Sequence, residues 1–506
     1  MTESAQSKAM SLWVATAEGT QYSRLEKDLE VDVAVIGGGI AGLTAAYELR
    51  RRGLTVAVLE GSRIGTGVTG STTGKVTSLH RLAYTQLAAD HGMEAARAYG
   101  QANEAALAYI AATVQAAGLE CGFRRVSNYT YAEAGGEQLE AVRAEAELAA
   151  RLGLPASFIT DVPLPFAAQG AVRFEDQAQF HAMKYLHGLA RAVDGGGSVV
   201  VERTAVRAVR DGTPAVAVTD HGTVRAREIV VATNVPMGDG GRYSGRLTIH
   251  RSYIVASPAD GLPADATFIS ADEPMRSILT TREDGTDYVL VGGEGHPAAE
   301  GDTGGGSAAR LERLAEFSRE RLGGGEPAYR WSTQDTLPAD GLPFAGPLTP
   351  DSRHLHVITG LRKWGLTNGT ASALVVADAI TGAASAWAGL FDSTRELGPA
   401  SAQGRERAEA EAPLPPWRGL PRLAPGEGAV FDVGGKATAV YADAAGVVHA
   451  LSARCTHLRC VVEFAHGADG AEPTWDCPCH GSRFALDGTV IQGPAEKDLA
   501  HRDMPD

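Results

Sequence analysis

The chain has 506 residues, of which 44% are hydrophobic and 21% are charged, and its formal net charge is −15. This length accommodates two or three domains, each with a core of its own. The negative charge is spread along the chain, so no basic face for nucleic acid is predicted. No signal-peptide pattern and no apolar run of membrane-spanning length is present, which predicts a cytoplasmic protein that does not bind a membrane.

The five cysteines are unevenly placed. Cys121 stands alone in an Ala-rich helical region and is predicted to be an inert buried thiol. The other four fall between Cys455 and Cys479. This clustering indicates a metal site rather than a general disulfide framework.

The stretch from Val31 to Glu60 has the pattern of strand, tight turn, helix and second strand. Gly37 permits the turn, Gly39 lets the backbone approach a pyrophosphate, and Gly42 lets the helix pack on the strand. Glu60 can accept a hydrogen bond from a ribose hydroxyl and would repel the additional phosphate of NADP, so FAD or NAD is predicted. The candidate dinucleotide-binding residues here are Gly37, Gly39, Ile40, Ala41, Gly42 and Glu60.

A loop of small residues follows, from Gly65 to Thr77. It is similar to a Walker phosphate-binding loop only superficially, because Thr69 stands where that motif requires Gly and no strand precedes it. Side chains this small can instead lie against a flavin ring. Thr72, Thr73 and Lys75 are therefore the candidate flavin contacts, and a plain polar surface loop is the alternative.

Residues 84–152 are predicted to be mostly helical, with an extended piece at 125–131, and to form part of a cap over the cofactor site. Residues 173–187 carry carboxylates and two histidines. His181 and His187 are six positions apart, whereas two ligands on one helix face need a spacing of four, so a helix surface is favoured over a metal site.

Apolar runs predict strands at 199–202 and 228–234, with a hairpin around 211–223. The second strand ends in Asn234, where the backbone can come close to the dinucleotide. Another glycine cluster, 292–296, is followed by Pro297 rather than by an amphipathic helix. No separate NAD(P)H-binding domain is therefore predicted.

A third glycine-rich segment connects a predicted strand at 354–359 to a predicted helix at 370–381. A helix N-terminus placed here can stabilise the electron-rich edge of a reduced flavin. The candidate cofactor contacts in this segment are Gly360, Trp364, Gly365 and Thr367. The residues predicted to border the substrate cavity, in or beside segments expected near the flavin ring, are Lys75, Arg251, Tyr253 and Trp364.

Residues 392–416 are rich in Pro, Ala and charge and lack apolar periodicity, so they are predicted to be a linker. A flexible coil of about 24 residues spans roughly 25–30 Å, which would allow a tethered domain to dock and release. Strands are predicted at 429–433, 437–443 and 447–453. Residues 417–506 are therefore predicted to form an all-β domain.

Two loops of this domain carry metal-binding residues, Cys455–Cys460 (CTHLRC) and Cys477–His480 (CPCH). A zinc ribbon is the alternative for four Cys and two His, but it would use two C-x-x-C pairs, or one such pair with two His. Here each loop offers one cysteine–histidine unit and one additional cysteine. This division fits a [2Fe–2S] cluster in which two thiolates hold one iron and two imidazoles hold the other.

The two loops resemble the Rieske motif, and Gly493–Ala495 is similar to the proline loop of that family. Arg459 stands where the family usually has Gly, which affects the loop geometry and adds a positive charge close to the cluster. Phe484 replaces the Tyr of high-potential members, so one hydrogen bond to the cluster environment is absent and a reduction potential below the top of the roughly −150 to +300 mV Rieske range is expected. The resemblance implies that the iron ligands are Cys455, His457, Cys477 and His480, and that a disulfide joins Cys460 to Cys479.

Residues 11–382 resemble the D-amino-acid-oxidase-type FAD-dependent oxidoreductases, which include glycine, sarcosine and γ-glutamylputrescine oxidases. The glycine turn, Glu60, the strand ending at Asn234 and the Gly360–Gly369 segment carry this resemblance. The order of flavoprotein, linker and Rieske domain is similar to a bacterial subfamily of Rieske-fused oxidoreductases. The implied architecture is an α/β Rossmann-type FAD-binding domain (about 28–82, 165–237 and 345–391) with an α+β cap (about 83–164 and 238–344), followed by the all-β domain.

The resemblance also implies the chemistry. A small amine or amino-acid-type substrate would lose a hydride to N5 of a non-covalently bound FAD, giving an imine that water hydrolyses. The electrons would pass through the [2Fe–2S] cluster to an external acceptor protein, or to oxygen. The alternative is an electron-transfer flavoprotein partner that feeds a separate oxygenase or cytochrome. The lack of an NAD(P)H domain and the large cap favour the first hypothesis.

Overall fold

The computed structural model describes residues 7–263, 265–298, 306–397, 414–416, 423–457, 459–465, 473–477, 482–492, 495 and 497–504. Its helices are α1 (Leu12–Ala15), α2 (Ile40–Arg51), α3 (Ala83–His91), α4 (Met93–Ala116), α5 (Glu137–Arg151), α6 (Ala182–Val193), α7 (Gly306–Leu322), α8 (Gly365–Thr381) and α9 (Ala388–Phe391). None of these described helices combines the length and the apolar character needed to cross a bilayer.

The strands of the first half of the chain are β1 (Leu29–Ile36), β2 (Val56–Leu59), β3 (Lys75–Val76), β4 (Arg124–Ala132), β5 (Ala156–Ile159), β6 (Gly170–Gln179), β7 (Val199–Val201), β8 (Val206–Arg210), β9 (Ala215–Thr219), β10 (Gly222–Asn234), β11 (Leu247–Pro258) and β12 (Ala266–Ser270). Those of the second half are β13 (Arg276–Glu283), β14 (Thr286–Pro297), β15 (Tyr329–Pro338), β16 (Phe344–Pro347), β17 (Leu355–Thr359), β18 (Gly428–Val433), β19 (Lys436–Ala442), β20 (Val448–Ser452), β21 (Glu463–Ala465), β22 (Thr474–Asp476), β23 (Arg483–Phe484) and β24 (Val490–Gln492).

The first sheet is the dinucleotide-binding layer. Its strand order is β16-β17-β10-β1-β2-β7, and β8 and β9 extend β10 as a hairpin. Strand β1 pairs in parallel with both β10 and β2, and β17 pairs in parallel with β10. The apolar strands β2 and β17 are buried along their whole length, as expected for parallel strands covered on both faces. Their carboxyl ends therefore meet at one edge, where α2 and α8 begin and pack against each other.

The second sheet has the order β15-β11-β14-β13-β12-β4-β6-β3, with β5 paired to β6, and it is antiparallel except for the β12–β4 pair. Helix α7 packs against β11 and β14. Residues 170–179 form β6 of this sheet, whereas the sequence favoured a helix surface for 173–187 and placed 165–237 in the FAD-binding part. The helix begins only at Ala182, after His181, which is buried and caps it.

The first residues of the predicted linker are attached to the flavoprotein. Ser393 Oγ donates to the carbonyl oxygen of Pro347 at 2.6 Å, and Arg395 forms an ion pair with Asp340 at 2.7 Å. Residues 398–413 of the predicted linker lie outside the described residues.

The C-terminal domain is built from two small antiparallel sheets. One has the order β18-β19-β20 and the other β21-β22-β23-β24. The predicted strands at 429–433, 437–443 and 447–453 correspond to β18, β19 and β20. Trp475 and Phe484 fill the core between the sheets.

Candidate functional site

The glycine turn after β1 has no room for larger residues. Gly37 has a φ of 110°, and a Cβ there would lie 2.6 Å from the carbonyl oxygen of Ala232. At Gly42 a Cβ would lie 2.0 Å from the carbonyl oxygen of Gly37. Helix α2 therefore starts directly behind the strand, and its N-terminus forms one wall of a large cavity, an arrangement suited to a pyrophosphate.

Glu60, at the end of β2, is fixed beside this turn. One carboxylate oxygen accepts from the amide of Gly38 at 2.7 Å, and the other accepts from the amide of Ser62 at 2.8 Å. Burial raises the pKa of Glu60, while the two amides act in the opposite direction. The carboxylate lines the cavity, and its contact with a ribose stays a prediction.

The cavity encloses about 1100 Å³. Ligand sites usually enclose roughly 300–1,000 Å³, so the space and the glycine cradle together fit FAD with room for a small substrate. Three predicted cofactor residues, Gly42, Gly360 and Thr367, are not among the residues that line it. The predicted residues that do line it are Gly37, Gly39, Ile40, Ala41, Glu60, Thr72, Thr73, Asn234, Trp364 and Gly365.

Two tryptophan indoles hold the small-residue loop against the cavity. Trp13 Nε1 donates to the carbonyl oxygen of Thr72 at 2.7 Å, and Trp331 Nε1 donates to that of Ser71 at 2.9 Å. Both tryptophans are buried. Because one comes from α1 and the other from β15, the loop is fixed by two distant segments. No motif in the sequence indicated this contact.

Lys75, at the start of β3, is a buried residue of the cavity wall. Its Nζ donates to the carbonyl oxygen of Phe268 at 2.7 Å and to Ser277 Oγ. Burial lowers the pKa of Lys75 to about 7. A large fraction of Lys75 therefore carries a neutral amine near neutral pH.

A polar cluster that the sequence did not reveal lies in the same wall. Lys363 Nζ lies 2.7 Å from His250 Nδ1 and donates to Ser252 Oγ at 3.0 Å. Asp335 is paired with His250 across β11 and β15. All four side chains belong to residues that line the cavity. The position of His250, Ser252 and Asp335 as polar residues within strands was the only available signal for these three.

Burial sets the charge states in this cluster. It lowers the pKa of Lys363, and together with the Lys363 charge it lowers the pKa of His250 to about 3. It raises the pKa of Asp335 to about 6, although Lys363 acts in the opposite direction. At neutral pH His250 is therefore a neutral acceptor, and Lys363 is the donor.

The turn into α8 is tightly constrained. Arg362 and Lys363 have left-handed φ values of 57° and 64°, a conformation that is retained at functional sites despite its cost. The Trp364 ring then stacks on His80, with ring centroids 4.6 Å apart. Helix α8 begins at Gly365, earlier than the predicted Thr370, so its N-terminus lies at the cavity itself.

Arg251 and Tyr253 are not among the residues that line the cavity, unlike Lys75 and Trp364. The Tyr253 hydroxyl is buried 3.2 Å from His296 Nε2. Arg251 Nη2 donates to Asp476 Oδ2 of the C-terminal domain at 2.8 Å. Catalytic roles for these four residues stay predictions.

Two predicted iron ligands lie together in the core of the C-terminal domain. Cys455 and Cys477 are buried in one apolar cluster, which fits two thiolates on one iron. His457 is half-buried, and burial lowers its pKa. The other predicted ligand, His480, lies outside the described residues, as does Cys479. Within the described ranges, no three His, Cys, Asp or Glu side chains are placed to hold a metal ion.

The structure shows how Arg459 occupies a position at which the Rieske motif usually has Gly. Arg459 has a left-handed φ of 67°, a conformation that favours Gly. Its amide donates to the carbonyl oxygen of Cys455 at 3.0 Å, and its own carbonyl oxygen accepts from Arg454 Nη1 at 3.1 Å. The loop therefore keeps its turn with a side chain at this position.

The C-terminal domain also contributes to the large cavity. Arg483, Val490, Ile491 and Ala495 line the same space as Lys75 and Trp364. The dinucleotide-binding turn, the polar cluster and the C-terminal domain therefore meet around one cavity.

Comparison with known proteins assigns both parts of the chain. Residues 32–379 match the family model for FAD dependent oxidoreductases, and residues 420–502 match the model for the Rieske [2Fe-2S] domain. The first match implies FAD, and the second implies a [2Fe–2S] cluster.

Two relatives and one solved structure are informative. The chain is 30% identical over 505 residues to the Rieske 2Fe-2S iron-sulfur protein YhfW of Bacillus subtilis (strain 168), covering 97% of each chain. It is 28% identical over 224 residues to gamma-glutamylputrescine oxidoreductase of Escherichia coli (strain K12), covering 43% of this chain and 52% of the relative. Glycine oxidase from Geobacillus kaustophilus is similar in fold, with a TM-score of 0.63 at 22% identity over 73% of this chain and 100% of its own.

These matches confirm the predicted flavoprotein and Rieske parts and both cofactors. The match over 32–379 and the relative that aligns along almost the whole chain show that this protein is an oxidoreductase of the FAD dependent oxidoreductase family, with amino-acid oxidase-type relatives and a Rieske [2Fe-2S] domain after it.

Proposed function

We propose that the protein oxidises a small amine or amino-acid-type substrate, and that the electrons leave through the Rieske domain to an external acceptor. The observation that carries this proposal is the shared cavity. Its walls come from the glycine turn, from Lys75 and Lys363, and from residues of the Rieske domain. Oxidation of a small molecule and delivery of electrons to the second domain can therefore take place next to each other.

The overall reaction balances as follows. The substrate loses the hydrogen of the C–H bond beside its amine nitrogen, and the imine formed takes up water to give a carbonyl compound and a free amine. Two electrons pass to the acceptor and two protons are released. When bound, FAD supplies the hydride acceptor, and the [2Fe–2S] cluster supplies the one-electron step to the acceptor.

The residues of the cavity bind the substrate and take up its proton. An amine must be neutral before a hydride can leave the neighbouring carbon, so a group that accepts its proton must lie close by. Burial has moved the pKa of Asp335 to about 6 and that of Lys75 to about 7. These two groups are therefore the proposed proton acceptors, and Lys363 and His250 orient the substrate beside Trp364.

The cofactor contacts are part of the same proposal. Glu60 would hold the adenosine ribose, while the loop around Thr72 and the N-terminus of α8 would face the flavin ring. In the Rieske domain the proposed ligands are Cys455, His457, Cys477 and His480, with a disulfide between Cys460 and Cys479. Burial of both ligand cysteines supports this assignment, and so does the hydrogen bond at 2.9 Å from the Cys455 amide to the carbonyl oxygen of Cys460.

Anaerobic titration of the holoprotein tests the substrate class. A panel of primary amines, secondary amines and amino acids is mixed with the protein, and flavin absorbance and the Rieske EPR signal are followed together. Bleaching by one class of amine, followed by reduction of the cluster, is the expected result. If no amine bleaches the flavin but a reduced partner protein does, the chain is instead an electron-transfer flavoprotein.

A further inference from the structure

We propose that the ion pair between Arg251 and Asp476 docks the Rieske domain on the rim of the flavin cavity, and that the docked arrangement is the one in which electrons pass between the domains. The inference rests on the relay in the proposed function and adds the contact that governs it. Arg251 belongs to β11 of the flavoprotein, and Asp476 ends β22 of the Rieske domain.

The Asp476 carboxylate is arranged by its own domain to receive this contact. Its Oδ1 accepts from Thr474 Oγ1 at 2.8 Å and from Arg483 Nε at 3.2 Å. Its Oδ2 accepts from Arg251 Nη2 at 2.8 Å. Two donors of the Rieske domain therefore fix one oxygen, while the other oxygen is directed at the flavoprotein.

The pair is shielded from solvent. The side chain of Arg251 is 17% exposed and that of Asp476 is 7% exposed. Loss of Arg251 would leave the shielded Asp476 carboxylate with the donors of its own domain alone, and loss of a shielded pair costs more than loss of an exposed surface pair. Arg251 is therefore expected to control whether the two domains stay together.

The contact also joins the two redox sites through short covalent and hydrogen-bonded steps. Asp476 directly precedes Cys477, a proposed iron ligand. On the other side, Arg251 lies between His250 and Ser252, which both contact Lys363 in the cavity wall. Val490 and Ile491 of the Rieske domain line the same cavity, so docking at Arg251 places β24 of the Rieske domain at the cavity.

The charges around the interface are complementary at a second place. The pKa of Arg207, in the flavoprotein, is raised by its hydrogen bond to Asp220 and more weakly by Asp498 of the Rieske domain. An acidic side chain of the Rieske domain thus lies near a basic side chain of the flavoprotein at both places. Such pairing favours one orientation of the docked domain.

Three substitutions test the proposal in the full chain loaded with FAD and cluster. Arg251→Glu reverses the charge, whereas Arg251→Gln removes it with little change in volume and serves if the reversal prevents folding. Arg282→Glu is the matched control, because Arg282 lies in β13 of the same sheet and pairs with the exposed Asp287 at 2.8 Å. Flavin absorbance and the Rieske EPR signal verify that each variant carries both cofactors.

Two measurements are made on each variant. Small-angle X-ray scattering gives the radius of gyration, which should rise for Arg251→Glu and Arg251→Gln and stay at the wild-type value for Arg282→Glu. Reduction of the flavin by an external photoreductant, without substrate, is followed by time-resolved absorbance of the cluster. The rate of cluster reduction should fall at least about tenfold in the Arg251 variants, since loss of a shielded pair exceeds the 1.4 kcal/mol that corresponds to tenfold.

The results for the Arg251 variants, for Arg282→Glu and for the wild-type protein distinguish failure of the docking role from failure of the relay. If the Arg251 variants keep the wild-type radius and rate, or if Arg282→Glu lowers the rate equally, the docking role is overturned while the relay itself stands. If the wild-type cluster takes no electrons from the photoreduced flavin, the relay in the proposed function fails, and with it the assignment of the docked state as the electron-transfer state. A wild-type radius for Arg282→Glu with expansion and slow transfer in both Arg251 variants supports it.

Discussion

Lys363 Nζ and His250 Nδ1 lie 2.7 Å apart in the wall of the cavity. His250 accepts this hydrogen bond because burial keeps its imidazole neutral, with a pKa of about 3. The left-handed backbone at Lys363 and the hydrogen bond to His250 together hold Lys363 Nζ at the site proposed for the substrate. Removal of this side chain should therefore impair the orientation of the substrate.

We expect Lys363→Met to lower the rate of flavin reduction by substrate about 100-fold, the lower end of the usual contribution of a positioned acid–base or orienting group. The measurement is anaerobic stopped-flow absorbance with the amine that bleaches the wild-type protein. Lys184→Met is the matched control, since Lys184 pairs with Glu283 at 2.8 Å and is not among the residues that line the cavity. A wild-type rate in Lys363→Met would contradict the role given to this cluster.

The pKa of Lys75 makes stability depend on pH. Burial lowers it from 10.5 to about 7, so between these values the unfolded chain binds a proton that the folded chain does not. The contribution of Lys75 to folding stability is complete above pH 10.5, falls as the pH drops toward 7, and is lost below it. Relative to the Tm of Lys75→Met, the wild-type Tm should therefore decrease as the pH is lowered from 10.5 to 7. A difference in Tm that is independent of pH between 7 and 10.5 would refute this prediction.

The indole of Trp331 should contribute to FAD binding without touching the cofactor. Trp331→Phe keeps an aromatic ring, although a smaller one, and leaves the carbonyl oxygen of Ser71 without its indole donor, which costs about 1–3 kcal/mol when the group is buried. We expect FAD affinity to fall about tenfold, as measured by flavin fluorescence during reconstitution of the apoprotein. Trp387→Phe, at the start of α9 and away from the lining residues, is the control. Equal affinities in both variants would show that the loop does not depend on Trp331.

The backbone at Arg459 predicts an unusual order of stabilities in the Rieske domain. Arg459→Gly removes the left-handed penalty of roughly 1–2 kcal/mol but increases the entropy of the unfolded chain, so it should change stability by less than about 1 kcal/mol. Arg459→Val places a β-branched residue at a φ of 67° and should destabilise the domain clearly. Thermal loss of the Rieske absorbance orders the three proteins, and a Val variant as stable as the Gly variant would contradict the explanation.

The sequence predicted the parts of the fold whose determinants are local. The turn at Gly37 and the acidic residue Glu60 lie within one strand–helix–strand unit, so spacing alone identified them. The strand at 170–179 was missed because its carboxylates and the histidines that follow it directed attention to helix geometry, whereas pairing with β4 decides its structure.

The polar cluster could not be predicted in the same way. His250, Asp335 and Lys363 come from β11, β15 and the turn before α8, and only the pairing of β11 with β15 brings the first two together. Arg251 shows the converse case. Its position in or beside a segment expected near the flavin ring suggested a cavity residue, but alternation along the strand directs its side chain to the other face, where it donates to Asp476.

Residues of the Rieske domain in the cavity wall would also affect which substrates the cavity accepts. Arg483, Val490 and Ile491 close part of the space in which a substrate would sit. The flavoprotein half expressed alone would therefore present a wider and less charged pocket than the intact chain. Substrate profiling of the isolated half would describe a differently shaped site, because residues of the Rieske domain form part of the wall of the pocket.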